Sequence, residues 1–325
     1  MFLPFRGSFV ELRNRLLDEG SGIRDRGSVE FIDLKFRGMP RVIGTAAIQG
    51  PSGLTLVDPG PTSCLPALES GLQDAGLRLD DVRTILLTHI HLDHAGATGT
   101  LLERLPAAVA YVHEVGAPHM IDPTKLLASA TRLYGVHMDR LWGAFHPVPA
   151  ARLRVLAGGE RLDVGGRSYD VAYTPGHASH HVSYLDTGSG VAYAGDTAGV
   201  RIAGGYIKAP TPPPDIDLDA WEQSIQIYER WRPSSLVLTH FGSVDQVSDH
   251  LRELRSVLDR MSRQVKATLE SEGTDEERIR RFSEDMRADA RQALSEADAA
   301  SAEAAAPFDQ LWMGLARYWR KKLRI

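Results

Sequence analysis

Between Thr88 and Gly96 the chain reads T-H-I-H-L-D-H-A-G, which places His89, His91, Asp93 and His94 within six residues. Imidazoles two positions apart on an extended segment face the same side, so His89 and His91 can hold one cation together. Asp93 and His94 lie past the bend, and a carboxylate beside an imidazole suits a second ion of zinc, iron or manganese. The apolar run Ile85, Leu86, Leu87 ahead of the motif reads as a buried strand, and Ala95, Gly96, Ala97 and Leu101 behind it read as the opening of a helix. The four side chains therefore occupy a strand-to-helix turn, where a rigid scaffold aims a loop at a reacting group.

Three further candidates follow in the chain. T-P-G-H ends at His177, G-D-T holds Asp196 and L-T-H-F-G holds His240. Each comes after an apolar, strand-like run: Tyr169 to Tyr173, Val191 to Ala194, and Leu236 to Leu238. In these motifs and their order, the sequence resembles the metallo-β-lactamase superfamily from about residue 30 to residue 245. The resemblance implies an α/β fold, the four-layer αββα metallo-β-lactamase sandwich. It also implies one metal ion on His89, His91 and His177, a second on Asp93, His94 and His240, and Asp196 bridging them. Asp58, in Asp58-Pro59-Gly60, is implied as a support for the metal loop. Two divalent ions, zinc first with iron or manganese as alternatives, would share a nucleophilic hydroxide that Asp93 and Asp196 orient.

The activity so implied is hydrolysis of an ester-like bond (thioester, lactone or carboxylic ester), nearest to the hydroxyacylglutathione hydrolase and lactonase branches. A phosphodiesterase of the ribonuclease-like kind and a mononuclear iron persulfide dioxygenase are the alternatives. The chain departs from the acyl-homoserine lactonases, which carry a tyrosine where Gly199 stands, and from the dioxygenases, whose arginine- and cysteine-containing stretch is missing from Ala198 to Tyr206. It also shows no C-terminal basic and asparagine pattern like that of the glutathione thioesterases.

The elements that must position these residues are partly legible. Residues 29–36, 41–48 and 54–57 read as three early strands, and Leu65 to Leu77 as a helix before the motif strand. Val109 to His113 reads as a short strand whose histidine packs rather than ligates. The stretch 114–149 reads as a helical insertion over the site. It contains one helix opening at Asp122-Pro123 and a second piece, Val136 to Phe145, which would offer Met138, Trp142 and Phe145 to the substrate pocket. His119, His137 and His146 read as rim or surface groups, and either His180 or His181 as a substrate contact or a structural residue. Five short strands are expected from Leu153 to Ala194, a plain extended linker over Gly204 to Pro214 carrying Tyr206 and Lys208, and an amphipathic helix over Asp217 to Trp231. Helices are expected over Val247 to Leu269, Glu276 to Ala300 and Phe308 to Leu323, with Ala297 to Ala306 as a mobile connection. This divides the chain into a catalytic domain, 1–245, and a C-terminal helical extension, 246–325.

Composition narrows the partners. A net charge of −5 and pI near 6.2 give no basic surface for nucleic acid, so a small-molecule substrate is expected. The single cysteine, Cys64, reads as a small buried residue and allows no internal disulfide. Met1 to Arg13 is broken by Pro4, Arg6 and Gly7 and shows no leader pattern, and no apolar run is long enough to span a bilayer, which together suggest a cytoplasmic protein. The last helix is basic and amphipathic. It reads as docking on its own chain or on a partner subunit, as in a homodimer, with peripheral contact to an anionic membrane as the alternative.

Overall fold

The computed structural model describes residues 28–324, so Met1 to Arg13, read above as showing no leader, lies outside the described residues. Two six-stranded sheets face each other. The first runs in the order β1 (Val29–Asp33), β2 (Gly44–Gly50), β3 (Gly53–Val57), β4 (Val82–Leu86), β5 (Val109–His113), β6 (Leu153–Leu156). Its first three strands form an antiparallel meander and the rest pair in parallel. Each parallel step needs a crossover, and helices fill them. These are α1 (Leu65–Asp74) between β3 and β4, α2 (Leu92–Ala95) and α3 (Thr98–Arg104) between β4 and β5, and α4 (Ala117–Ile121), α5 (Thr124–Tyr134) and α6 (Met138–Trp142) between β5 and β6. The helical insertion is thus the last crossover of this sheet.

In the second sheet the order is β14 (Gly242–Val244), β13 (Ser235–Leu238), β10 (Val191–Tyr193), β9 (Val182–Asp186), β8 (Arg167–Tyr173), β7 (Arg161–Val164). Only β10 and β13 are parallel here, and their crossover holds a hairpin of β11 (Val200–Ile202) with β12 (Tyr206–Lys208), then α7 (Leu218–Trp231).

Strand alternation sorts side chains between the layers. Ala46, Ile48, Val57 and Leu86 of the first sheet meet Tyr169, Val171, Tyr184 and Tyr193 of the second in one buried cluster. The opposite-facing Ala47, Leu56 and Ile85 belong to a second cluster with Leu65, Leu68 and Leu72 of α1, as do Leu236 and Leu238 with Trp221, Ile225 and Tyr228 of α7. Helix, sheet, sheet and helix therefore stack as the expected four-layer αββα sandwich.

The C-terminal helices α8 (Val247–Leu269), α9 (Asp275–Ala293), α10 (Glu296–Ala305) and α11 (Phe308–Leu323) add Leu254, Phe282, Phe308, Leu311 and Trp312 to that larger core. The apolar face of α11 is buried within its own chain, and its basic end is ion-paired through Arg320 to Asp275 and Lys322 to Asp219. Gly314 of α11 lies so close to the Thr211 carbonyl that an added Cβ would stand 2.0 Å from its oxygen. Among the described residues no helix is long and apolar enough to cross a membrane.

Two expectations need correction. The stretch 204–214 is not a plain linker: it carries β12, where buried Lys208 pairs with Asp289 of α9 at 2.8 Å and Tyr206 donates to the same carboxylate. Ala297 to Ala306 is not a mobile connection but mostly α10. The expected helix Glu276 to Ala300 breaks at Leu294 and Ser295, and the Ser295 hydroxyl caps the new helix by accepting from the Asp298 N–H. Ser301 then ties α10 to the Pro40 carbonyl at 2.9 Å. The short β14, which follows the His240 turn, was not anticipated either.

His250 of α8 anchors the extension to the sandwich, its Nε2–H donating to the Ala198 carbonyl at 2.7 Å. Burial lowers its pKa to about 4, outweighing that hydrogen bond, against about 6.5 in an unfolded chain. Between these values the unfolded state binds more protons, so stability falls as pH drops from about 6.5 to about 4 and this contribution levels off below. Thermal melts across that window should therefore slope more steeply for the wild type than for His250→Gln, whose amide donates to Ala198 but does not titrate. Equal slopes would contradict this role.

Candidate metal centre

The candidate ligands gather at the carboxyl ends of the parallel strands β4, β10 and β13, the edge where open α/β sheets hold their ligands. His89 and His91 leave β4 on its turn, and Asp93 and His94 form the first turn of α2. His177 comes from the loop between β8 and β9, Asp196 from the tight turn after β10, and His240 from the connection between β13 and β14.

All seven positions converge. His91 Nδ1 lies 3.0 Å from His89 Nε2 and 2.9 Å from His177 Nε2. His240 Nε2 is 3.4 Å from Asp93 and 3.5 Å from Asp196 Oδ1, and His94 Nε2 is 3.2 Å from Asp196 Oδ1. The other Asp196 oxygen reaches His177 Nε2 at 3.4 Å, so this carboxylate spans both halves. Three sets of facing donor atoms result: His89, His91 and His177; His89, His94 and Asp196; Asp93, His94 and His240.

Hydrogen bonds on the far side of each ring decide which nitrogen faces inward. His177 Nδ1–H donates to the Pro210 carbonyl at 2.8 Å and His240 Nδ1–H to the Val42 carbonyl at 2.5 Å. Carbonyls only accept, so both rings present Nε2 to the cluster. Asp58 does more. Fully buried and held at φ +52°, it accepts from the Thr88 N–H and hydroxyl, from Thr239 Oγ1 and from His94 Nδ1–H, at 2.7 to 2.9 Å. The Thr88 hydroxyl, having given its proton to Asp58, accepts from His89 Nδ1 at 3.1 Å.

The two halves differ electrically. Burial and the neighbouring imidazoles hold His89 well below the ordinary histidine range, and burial with His177 brings His91 to about 4. In the other half burial opposes charge on His94 and His240, but Asp196 and Asp93 overcome it and raise both. Burial likewise opposes charge on Asp196, yet His94, His240 and His177 bring it well below the carboxylate range, and Asp93 is lowered to about 2 against the same opposition by His94 and His240. His94 Nε2, His240 Nε2 and Asp196 Oδ1 are buried without a hydrogen-bond partner. Buried polar atoms need one, and aligned nitrogen and carboxylate donors of this kind fit divalent transition-metal ions.

A pocket of about 310 Å³ opens over the cluster, with His91, Asp93, His177 and Asp196 in its lining. Of the expected insertion residues only Trp142 lines it, largely buried between Phe36 and Tyr134. Helix α5 supplies more of the wall, through Leu126, Ala130, Leu133 and Tyr134. Across the mouth stand Pro212, Pro307 and Gln310, and the Tyr134 hydroxyl donates to Gln310 Oε1 at 3.3 Å. Nothing in the sequence signals that residues more than two hundred positions from the motif would complete the pocket. His113 instead packs flat on Tyr173 and His146 pairs with Glu103, while His119 lines the pocket and His137 is exposed. Cys64 is buried at the start of α1, its thiol pushed up to about 11 by desolvation.

Comparison with known proteins agrees with this geometry. Residues 44–240 match the metallo-beta-lactamase superfamily model. A metallo-beta-lactamase fold-containing protein of Sulfurisphaera tokodaii is 30% identical over 183 residues, covering 55% of this chain and 68% of the relative. A hydroxyacylglutathione hydrolase of Aeromonas hydrophila is 33% identical over 142 residues, 44% of this chain, and the chain spans only 41% of that enzyme's length. Among solved structures, a metallo-beta-lactamase family protein of Thermus thermophilus superposes with a TM-score of 0.63 at 23% identity, covering 86% of this chain and 89% of the other. The αββα sandwich, the match from β2 to His240 and the convergence of its His and Asp motifs make this chain a member of the metallo-β-lactamase superfamily.

Proposed function

We propose that this protein is a dinuclear metal-dependent hydrolase that cleaves an ester-like bond, whether thioester, lactone or carboxylic ester. The observation that carries the reading is the convergence of His89, His91 and His177 on one side of Asp196, and Asp93, His94 and His240 on the other, at the floor of an apolar pocket. Two divalent ions held there, with zinc first and iron or manganese as alternatives, would polarise a carbonyl and supply a nucleophilic hydroxide at neutral pH. The chain's own part is to hold and orient. Asp196 spans both groups, and it and Asp93 are held below the ordinary carboxylate range, so both carboxylates can accept a hydrogen bond from the attacking water and orient it. Leu126, Leu133 and Trp142 on one wall and Pro212 and Pro307 on the other exclude water and suit an apolar acyl group. Residues 1–245 would carry the chemistry, and the extension 246–325 completes the pocket through Pro307 and Gln310.

This lining also argues against the phosphodiesterase alternative. Among the described residues that form it, Lys125 is the one Lys or Arg side chain, too little positive charge for a polyanion. The complete second group, Asp93, His94 and His240, favours two ions over the single iron of a persulfide dioxygenase.

Metal-loaded protein assayed on matched thioesters, lactones, carboxylic esters and phosphodiesters should turn over one of the first three, and His240→Ala should lower that rate by orders of magnitude and deplete one ion. Turnover confined to phosphodiesters, or one iron per chain with oxygen uptake on a persulfide, would overturn the reading. Shortening the pocket wall by Leu133→Ala should shift the preferred acyl length and change relative kcat/KM by about 10-fold, since each methylene is worth about 1–3 kcal/mol, with metal content unchanged. An unaltered ranking across an acyl series would remove α5 from the substrate wall.

Protons compete with metal for these ligands. Because His94 and His240 are raised while His89, His91 and His177 are lowered, falling pH should release the ion held by Asp93, His94 and His240 before the other. Metal content after dialysis across a pH series, compared between wild type and His240→Ala, reads that order, and the reverse order would contradict it. Asp58→Asn keeps the shape and the tolerance of positive φ but turns an amide N–H₂ toward Thr88, Thr239 or His94. Chelator competition should then show metal binding weakened about 10- to 100-fold, and unchanged binding would deny Asp58 its part.

A further inference from the structure

His180 belongs to none of the three donor groups, yet its ring borders them and lines the pocket while being only 8% exposed. It lies parallel to the His89 ring at 6.0 Å and perpendicular to that of His91 at 5.4 Å. The Ile90 backbone N–H donates to His180 Nδ1 at 3.4 Å. A backbone N–H cannot accept, so Nδ1 holds a lone pair and the neutral ring carries its proton on Nε2. That nitrogen has no hydrogen-bond partner among the described residues, and the ring to which it belongs faces the pocket.

The loop that bears His180 is fixed on both sides. The Tyr173 hydroxyl donates to the Ser179 carbonyl at 2.9 Å, and Ser179 Oγ donates to Asp215 at 2.6 Å. Beyond it, the Thr174 N–H donates to the His181 carbonyl at 2.9 Å and the Val182 N–H to the Thr88 carbonyl at 2.7 Å. His181, fully buried and outside the pocket lining, has Nδ1 at 2.9 Å from Thr174 Oγ1 and its ring 5.1 Å from that of His89. An N–H set in one tautomer by the Ile90 amide, left without a protein partner among the described residues and opening on an apolar pocket, is arranged for a ligand acceptor.

We propose that His180 is a substrate-contacting catalytic residue whose Nε2–H donates a hydrogen bond to the carbonyl oxygen of an acyl compound bound in the pocket. This rests on the ester-hydrolase reading above for its substrate. A neutral imidazole polarises a carbonyl without surrendering its proton, so His180 forms and breaks no covalent bond. It stabilises charge that develops on oxygen as the nucleophile adds, and it releases the oxygen when the carboxylate product leaves.

Zinc-loaded wild type, His180→Gln and His180→Phe test this. Elemental analysis should give equal metal content in all three, whereas p-nitrophenyl butyrate turnover should fall about 10²-fold in kcat for His180→Phe, with KM little changed and partial recovery in His180→Gln, which keeps an N–H donor. Independently of turnover, nitrogen-15 histidine spectra of the wild type should show His180 protonated at Nε2 and shifting as butyrate is added, and butyrate should bind His180→Phe about 10-fold more weakly. A proton on Nδ1, an unmoved resonance, equal butyrate affinity, or loss of metal from both variants would each overturn the proposal. Should the wild type cleave neither esters nor thioesters while the spectra and butyrate affinity behave as stated, the ester-hydrolase reading fails and the donor role of His180 stands.

Discussion

One buried carboxylate holds the centre together. Asp58 stands just past the end of β3, and its two oxygens accept from the turn after β4 through Thr88, from α2 through His94 and from the end of β13 through Thr239. Those donors come from both sheets. A charge taken out of water is tolerated only when it is paired and hydrogen-bonded, and removing a partner from such an arrangement typically costs about 3–5 kcal/mol. The same bonds that satisfy Asp58 fix the His94 tautomer and, through Thr88, that of His89. Its positive φ, a conformation aspartate enters more readily than most residues, turns the chain sharply enough to aim both oxygens inward.

The sandwich supplies what Asp58 cannot. His89 and His240 are far apart in the chain, and they meet because β4 and β13 lie in facing sheets whose buried surfaces, Leu86 against Tyr184 for example, leave few alternatives of register. The parallel strands end at one edge, so every loop that leaves them emerges near the same point. Burial then acts on the imidazoles and carboxylates alike. It holds His89, His91 and His177 below the ordinary histidine range, while Asp196 and Asp93 raise His94 and His240 against it. A divalent ion answers both demands.

The motif turn was legible because its chemistry is local. H-x-H-x-D-H after an apolar strand places four candidate donors on one turn, and T-P-G-H, G-D-T and L-T-H-F-G each end a strand-like run whose length matches β8, β10 and β13 closely. The layer order followed from the family resemblance that these motifs carry, and the alternation of strands and helices supported only a layered α/β fold. What stayed hidden was set by distant contacts. The strand pairing of Tyr206 to Lys208 is obscured by the prolines just after it, and Lys208 finds its partner Asp289 only once α9 has packed. The alanine-rich stretch that became α10 looked mobile because its anchors, Pro40 and Arg41, lie more than 250 residues away. The same packing brings Pro307 and Gln310 to the pocket mouth, which no local pattern announces. His180 was visible as a histidine beside the ligands, but its tautomer depends on the Ile90 amide across the loop.

The proposed function requires these side chains to form two adjoining metal sites that share Asp196. Anomalous diffraction at the zinc edge from crystals of the metal-loaded protein tests it most directly. Two peaks per chain are expected, one enclosed by His89, His91 and His177 and one by Asp93, His94 and His240, with Asp196 between them. A single peak, or peaks away from these residues, would contradict it.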